Sequence, residues 1–281
     1  VAYRALKPAS GTVRYGRPVN IPKEYRFSYV MPFGFASPTS WVAMLTRRWM
    51  HETGATREQM GQVAIVCREN ALRNPRAMFY GRPLTMEQYL RSPMMCDPFM
   101  LNDTCLENDG AAALIVTTPE RAKDLKQKPV YITGAGWGTS EDAHNMTAFY
   151  REQIGLPECI EAGKSAFKMA ELTPKDIDVA QIYDAFTSLI PMQLETYGFV
   201  EYGEGGAFCE GGDRIRPDGE LPINTSGGQL SEAYIHGMNL IAEGARQIRG
   251  TSTTQIKDAE TCLCTGGLGV PTTALILTNG G

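Results

Sequence analysis

Residues 224–250, NTSGGQLSEAYIHGMNLIAEGARQIRG, constrain the fold most tightly. A short polar run ends in the pair Gly227-Gly228. Apolar Tyr234, Met238, Ile241, Ala245 and Ile248 then recur at three- and four-residue steps. This spacing predicts an amphipathic helix with one face buried. Gly250, after the basic Arg249, supplies the left-handed residue that commonly ends helices. The chain is thus expected to carry a helix springing from a glycine-rich loop, with Tyr234 in its first turn and on its buried stripe. His236 then lies roughly 200° further round, away from that stripe. A phenol at a helix N-terminus feels the positive end of the dipole, which favours phenolate and makes Tyr234 a candidate acid or base.

Other helices announce themselves by their caps. Ser37-Pro38 starts one through Trp41, Met44, Leu45, Trp49 and Met50 to Gly54. Thr56 starts a second, with Met60, Val63, Ala64 and Cys67 as its stripe, and Pro75 stops it. A short helix follows Thr85. Residues 158–171 predict another, with Ala162, Ala166, Met169 and Ala170 inward, and a further one runs to Tyr197 before Gly198. Strands are expected at the start of the chain, at residues 111–116 after the Asn108-Asp109-Gly110 turn, in PVYITGAGWG, up to Tyr183, in ELPINTS and at residues 273–277. Residues 203–219 carry six glycines and read as a long surface loop. Glu141, Asp142, His144 and Asn145 fall in another loop.

Strands alternating with helices predict an α/β fold. The apolar runs at 111–116 and 273–277 each follow a glycine turn, which suggests an internal duplication into halves of residues 1–125 and 126–281. A polar helix over residues 119–128 would join them. With 281 residues, 43% of them hydrophobic, the chain has ample material for a core. Its net charge of −4 is scattered, with no basic stripe for nucleic acid and no polybasic tail for a membrane. Seven irregularly spaced cysteines read as reduced thiols in a cytoplasmic protein, and Cys262-Leu263-Cys264 is too closely spaced for a zinc pair. His51 and His144 have no partner pattern and read as structural. The chain opens at Val1 on what reads as a strand already under way, so an N-terminal portion is expected ahead of it.

Several segments together resemble the thiolase superfamily. Its Asn-Glu-Ala-Phe motif corresponds to Tyr183-Asp184-Ala185-Phe186, and its Gly-Gly…Gly-His-Pro motif to Gly227-Gly228 through Ala233-Tyr234-Ile235. Its Cys-x-Gly motif corresponds to Cys264-Thr265-Gly266, and the segment from Asp109 to Ala113 is similar to the one closing the family's first half. The resemblance implies a layered fold of two duplicated α/β halves, the first incomplete in this chain. The departures are chemical: Tyr183 stands for the motif's Asn and Tyr234 for its His, while Cys264 keeps the family residue. The family's reactive Cys belongs to a part that precedes Val1.

YDAFT, NTSGG and SEAYIHGMN are similar to the lipid-transfer-protein branch, the steroid side-chain aldolases. That resemblance implies retro-aldol cleavage of a β-hydroxyacyl-CoA to a 17-ketosteroid and propionyl-CoA. It also implies a homodimer, a zinc-ribbon and OB-fold partner protein, and no metal or organic cofactor beyond the CoA of the substrate. Retro-aldol chemistry needs a base, donors for a thioester enolate and an acid, but no thiol nucleophile. Tyr234 is the candidate base or proton shuttle and Tyr183 its partner. Cys264 and His236 are further catalytic candidates. Asp184, Gly227, Gly228 and Gly266 are candidates for substrate binding, with Asp184 alternatively capping the helix that follows it. Arg214 and Arg216 are weighed for CoA phosphates. Two other readings stay open: a thiolase whose reactive Cys lies in the preceding portion, and a non-catalytic acyl-CoA or lipid-binding protein.

Overall fold

The computed structural model describes residues 1–7, 31–35, 37–139, 151–152, 156–267 and 272–280. The loop with Glu141, Asp142, His144 and Asn145 therefore lies outside the described residues. The first half contributes strand β1 (Ala2–Leu6), helices α1 (Pro38–Thr53), α2 (Arg57–Leu72) and α3 (Met86–Leu90), the short strands β2 (Met94–Cys96) and β3 (Phe99–Met100), strand β4 (Gly110–Leu114) and helix α4 (Pro119–Lys123). The second contributes β5 (Tyr131–Gly138), α5 (Pro157–Ala170), β6 (Val179–Gln181), α6 (Leu189–Thr196), α7 (Gly205–Cys209), α8 (Gly228–Ser231), α9 (Met238–Arg249), β7 (Thr261–Gly266) and β8 (Thr272–Thr278).

The caps work as the sequence predicts. Ser37 and Thr56 accept the amides of Ser40 and Gln59, and the Gln59 side chain accepts the Thr56 amide, so α1 and α2 start on reciprocal boxes. Gly54 ends α1 at φ 74°.

A four-stranded sheet in the order β5-β8-β7-β6 organises the second half, with β6 parallel to β7 and the other pairs antiparallel. Register puts Gly136, Ala274 and Thr265 on one face, and Ala135, Leu275 and Cys264 on the other. α5 lies on the first face. Gly134, Gly136 and Gly138 face its backbone at Ala166, Ala162 and Glu158, where any side chain would strike those carbonyls. On the opposite face α9 meets β7 at Gly244, against Cys262 and Cys264. The sheet is thus sandwiched between helices, and the parallel pair β6–β7 ends at one edge, where ligand sites of α/β sheets gather.

Several expectations are corrected. The strand at residues 111–116 is not buried: among the described residues β4 pairs with β1 alone in a two-stranded ribbon, and Ile115 and Val116, beyond its end, are 78% and 62% exposed. Residues 203–219 are not a surface loop. Glycines let α7 press against α6 at Pro191 and Glu195, burying Phe208, Cys209 and Ile215. ELPINTS makes a single bridge, from Ile223 to Ala180, before Asn224 turns left-handed at φ 43°. The polar helix after Pro119 stops at Lys123, and Met44 and Met169 point outward. No helix among the described residues is long and apolar enough to cross a membrane.

Candidate active site

The site forms where the loop after Ile223 meets the end of β6. Asn224 clips the two together: its Oδ1 accepts the Ile182 amide at 2.7 Å and its Nδ2 donates to the Ile182 carbonyl at 2.9 Å. α2 and the turn after it grip the same loop from outside, Asn70 donating to the Ile223 and Asn224 carbonyls and Asn74, just past the helix, to Ser226 and Glu232. Gly227 and Gly228 then run left-handed at φ 111° and 62°. Glycine is required at 228 twice over, since a Cβ there would strike the Asp184 carboxylate. Asp184 is fully buried and accepts the Gln229 amide at 2.8 Å and the Leu230 amide at 3.3 Å. Burial pushes its carboxyl up to about 6, against the pull of those two amides.

Two phenols meet beyond this frame. Tyr183 Oη lies 3.2 Å from Tyr234 Oη, and both residues are buried. Each is held by its backbone. The Tyr183 amide donates to Thr265 Oγ1, and its carbonyl accepts Gln193 Nε2 at 2.7 Å. Thr265 in turn donates to Gln193 Oε1, closing a triangle. The Tyr234 amide donates to Asn108 Oδ1 at 2.7 Å. The chain then turns through His236 and Gly237 at φ 52° and 82°, which sets Gly237 against the Tyr183 ring and beside Gly266.

His236 packs edge-on to Tyr234, their ring centroids 4.8 Å apart, on the exposed side of the pair. Arg4 Nη2 donates to His236 Nδ1 at 3.2 Å. Since a guanidinium only donates, the neutral ring carries its proton on Nε2. Partial burial, and then the Arg4 charge, hold the imidazole below its ordinary range, so it is neutral at pH 7. The β1–β4 ribbon earns its place here, bringing Arg4 to His236 and its Gly110 end against Ile235.

The family model for "Thiolase C-terminal domain-like" matches residues 140–279. A steroid side-chain-cleaving aldolase of Thermomonospora curvata is 46% identical over 99% of this chain and 72% of its own length. The chain belongs to the thiolase superfamily, in its lipid-transfer-protein aldolase branch. A 17-hydroxy-3-oxo-4-pregnene-20-carboxyl-CoA lyase of Mycobacterium tuberculosis is also 46% identical, over 99% of this chain and 73% of that one. A solved Ltp2-ChsH2(DUF35) aldolase superposes with a TM-score of 0.92 at 46% identity, covering 98% of this chain and 71% of that chain.

Within this thiolase-superfamily chain, the structure relocates several sequence candidates. Tyr234 is not in the first turn of a helix: α8 ends at Ser231 and α9 begins only at Met238, because Gly237 caps α9 in the left-handed region. Its phenol therefore gains nothing from a helix dipole. His236, expected away from the Tyr234 stripe, lies against the Tyr234 ring because the segment turns instead of spiralling. Asp184 caps α8, not the helix that follows it, and its oxygens are enclosed by amides and by the Cys67 thiol at 3.8 Å. Cys264 sits with Cys262, Val179, Ile248 and Leu277 in an apolar cluster against α9, a different cluster from the one holding the phenols. Arg214 is engaged by Glu220 and Phe208, and Arg216 by Glu69 and Asp213. Sequence reading missed Arg4, Asn108, Gln193, Gln229 and Thr265. Asn108 carried a signal in its Asn-Asp-Gly turn, and Thr265 in its place between Cys264 and Gly266.

Proposed function

We propose that this chain cleaves a β-hydroxyacyl-CoA by a retro-aldol reaction, its substrate a 17-hydroxysteroid side-chain CoA thioester and its products a 17-ketosteroid and propionyl-CoA. The observation that carries the reading is the 3.2 Å contact between Tyr183 and Tyr234, at the positions where thiolases have Asn and His. The similarity to steroid side-chain-cleaving aldolases over nearly the whole chain supports it.

Tyr234, as phenolate, takes the proton of the β-hydroxyl. The bond from the hydroxyl carbon to Cα breaks as the ketone forms, and its electron pair passes to Cα and the thioester oxygen as an enolate. Tyr183 gives its proton to Cα, which completes propionyl-CoA. The proton on Tyr234 then crosses to Tyr183, and the pair is ready again. A phenolate accepting from a neighbouring phenol is stabilised, so the contact lowers the cost of the basic form. Neutral His236 offers its Nε2–H to the developing enolate oxygen, a kind of contact worth about 10²–10³ in rate elsewhere. Cys264 and the glycines at 227, 228 and 266 shape the surrounding backbone in this scheme, and Asp184 fixes the loop from beneath. The scheme uses only side chains and the CoA thioester of the substrate.

We propose further that the chain acts as a homodimer in the cytoplasm, in complex with a DUF35-type partner of zinc-ribbon and OB-fold architecture. The DUF35 partner named with the 46%-identical solved aldolase supports the partner in this proposal. Tyr234→Phe is the direct test. It should lower kcat by about 10²–10⁴-fold while acyl-CoA binding is kept, as expected for loss of a general acid–base group. Turnover within threefold of the parent would overturn the role.

A further inference from the structure

Gln229 is fully buried and lies between the two halves of the site. Its amide is fixed by Asp184, the residue after Tyr183, at 2.8 Å to Oδ1 and 3.0 Å to Oδ2. Its carbonyl accepts the Leu106 amide. Its side chain reaches across to the other half, where Oε1 accepts the Gly237 amide at 2.8 Å. Gly237 lies against the Tyr183 ring and follows His236, a non-glycine residue held at φ 52°. Residues rarely stay in that region unless their surroundings hold them there.

The two ends of the Gln229 side chain differ. Oε1 has its donor, whereas Nε2 is buried with no hydrogen-bond partner among the described residues. Gln193, also buried, satisfies both ends, through Thr265 on one side and the Tyr183 and Leu189 carbonyls on the other. An unmade bond at a buried amide is costly, and the Gln229 side chain bears that cost while it holds the Gly237 amide. Since the Gly237 N–H needs an acceptor, the amide is oriented with oxygen toward the turn.

We propose that Gln229 is a positioning residue for the phenol pair: through Gly237 it locks the Tyr234–Gly237 turn to the Tyr183–Asp184 segment and so sets the separation of the two hydroxyls. The inference rests on the retro-aldol reading. A displacement of about 1 Å at reacting groups can cost about 10²-fold in rate, so the lock acts on turnover more than on substrate affinity.

Gln229→Met, of similar length without an acceptor, and Gln229→Glu, which keeps an acceptor oxygen, separate positioning from packing. In the full chain with its partner, Gln229→Met should lower kcat by about 10²-fold with KM within about threefold. Gln229→Glu should recover most of that loss. Hydrogen exchange at the Gly237 amide should speed up in Gln229→Met and return toward the parent rate in Gln229→Glu. Unchanged Gly237 exchange in Gln229→Met, or a loss of activity that Gln229→Glu does not relieve, would overturn the proposal. Failure of the parent enzyme to cleave a β-hydroxyacyl-CoA would instead overturn the reaction assigned above. The exchange measurement reads the Gln229 lock by itself.

Discussion

Two phenol oxygens 3.2 Å apart in a buried site stabilise one another's charge, since whichever loses its proton accepts a hydrogen bond from its neighbour. In the proposed scheme the activation of Tyr234 therefore comes from Tyr183 and not from a helix dipole, which acts only within the first turn of a helix. His236 adds a second tunable group. Its imidazole titrates below the ordinary range, first through burial and then through the Arg4 charge. Arg4→Met removes the second cause, so the folded pKa rises toward its unperturbed value and the ring becomes charged at a higher pH on acidification. The acid limb of kcat/KM should then move to higher pH, and NMR titration of His236 should move with it. An acid limb that stays in place in Arg4→Met would mean that the neutral ring has no part in turnover. The sequence displayed Tyr183, Tyr234 and His236 through motif positions, but their meeting was hidden. It depends on left-handed turns at His236 and Gly237, and a three- and four-residue repeat of apolar residues runs straight through those turns. Arg4 was illegible for another reason: its site is reached only by pairing with a strand about a hundred residues away.

Among the elements, α1, α2 and α5 were legible because caps, prolines and apolar spacing are local signals, all read within one helix and its flanking residues. The glycine-rich stretch at 203–219 misled because glycine marks both open loops and close packing, and only the neighbours at Pro191 and Glu195 decide between them. The same ambiguity hid the most regular interface of the fold. Gly134, Gly136 and Gly138 alternate along β5 so that α5 can lie on bare backbone, with Ala162 and Ala166 facing them. Gly136→Val would drive a side chain into the Ala162 carbonyl and force α5 away from the sheet. Overpacking of this kind typically costs about 1–3 kcal/mol, and a backbone obstacle belongs at the upper end. Urea unfolding should show a loss of about 3 kcal/mol. An unchanged midpoint would show that α5 can lift from β5 without penalty.

The whole molecule serves one edge. β6 and β7 end there in parallel, α9 begins there, the β1–β4 ribbon delivers Arg4 to it, and Asn70 of α2 with Asn74 just beyond pins its loop. An α/β fold was readable from the alternation of elements, whereas the exposed ribbon was not, because apolar runs at 111–116 look the same whether or not a layer covers them. Retro-aldol cleavage and thiolysis share this scaffold but differ in what they consume. Thiolysis passes an acyl group to a second molecule of CoA, whereas a retro-aldol needs none. The decisive measurement is product analysis of the chain with its DUF35-type partner on the 17-hydroxysteroid side-chain CoA thioester, with free CoA rigorously removed. Retro-aldol cleavage predicts 17-ketosteroid and propionyl-CoA in equal amounts, released without any added thiol. Cleavage that starts only when free CoA is supplied, with an acyl group transferred to it, would contradict a retro-aldol reaction and return the chain to acyl-transfer chemistry.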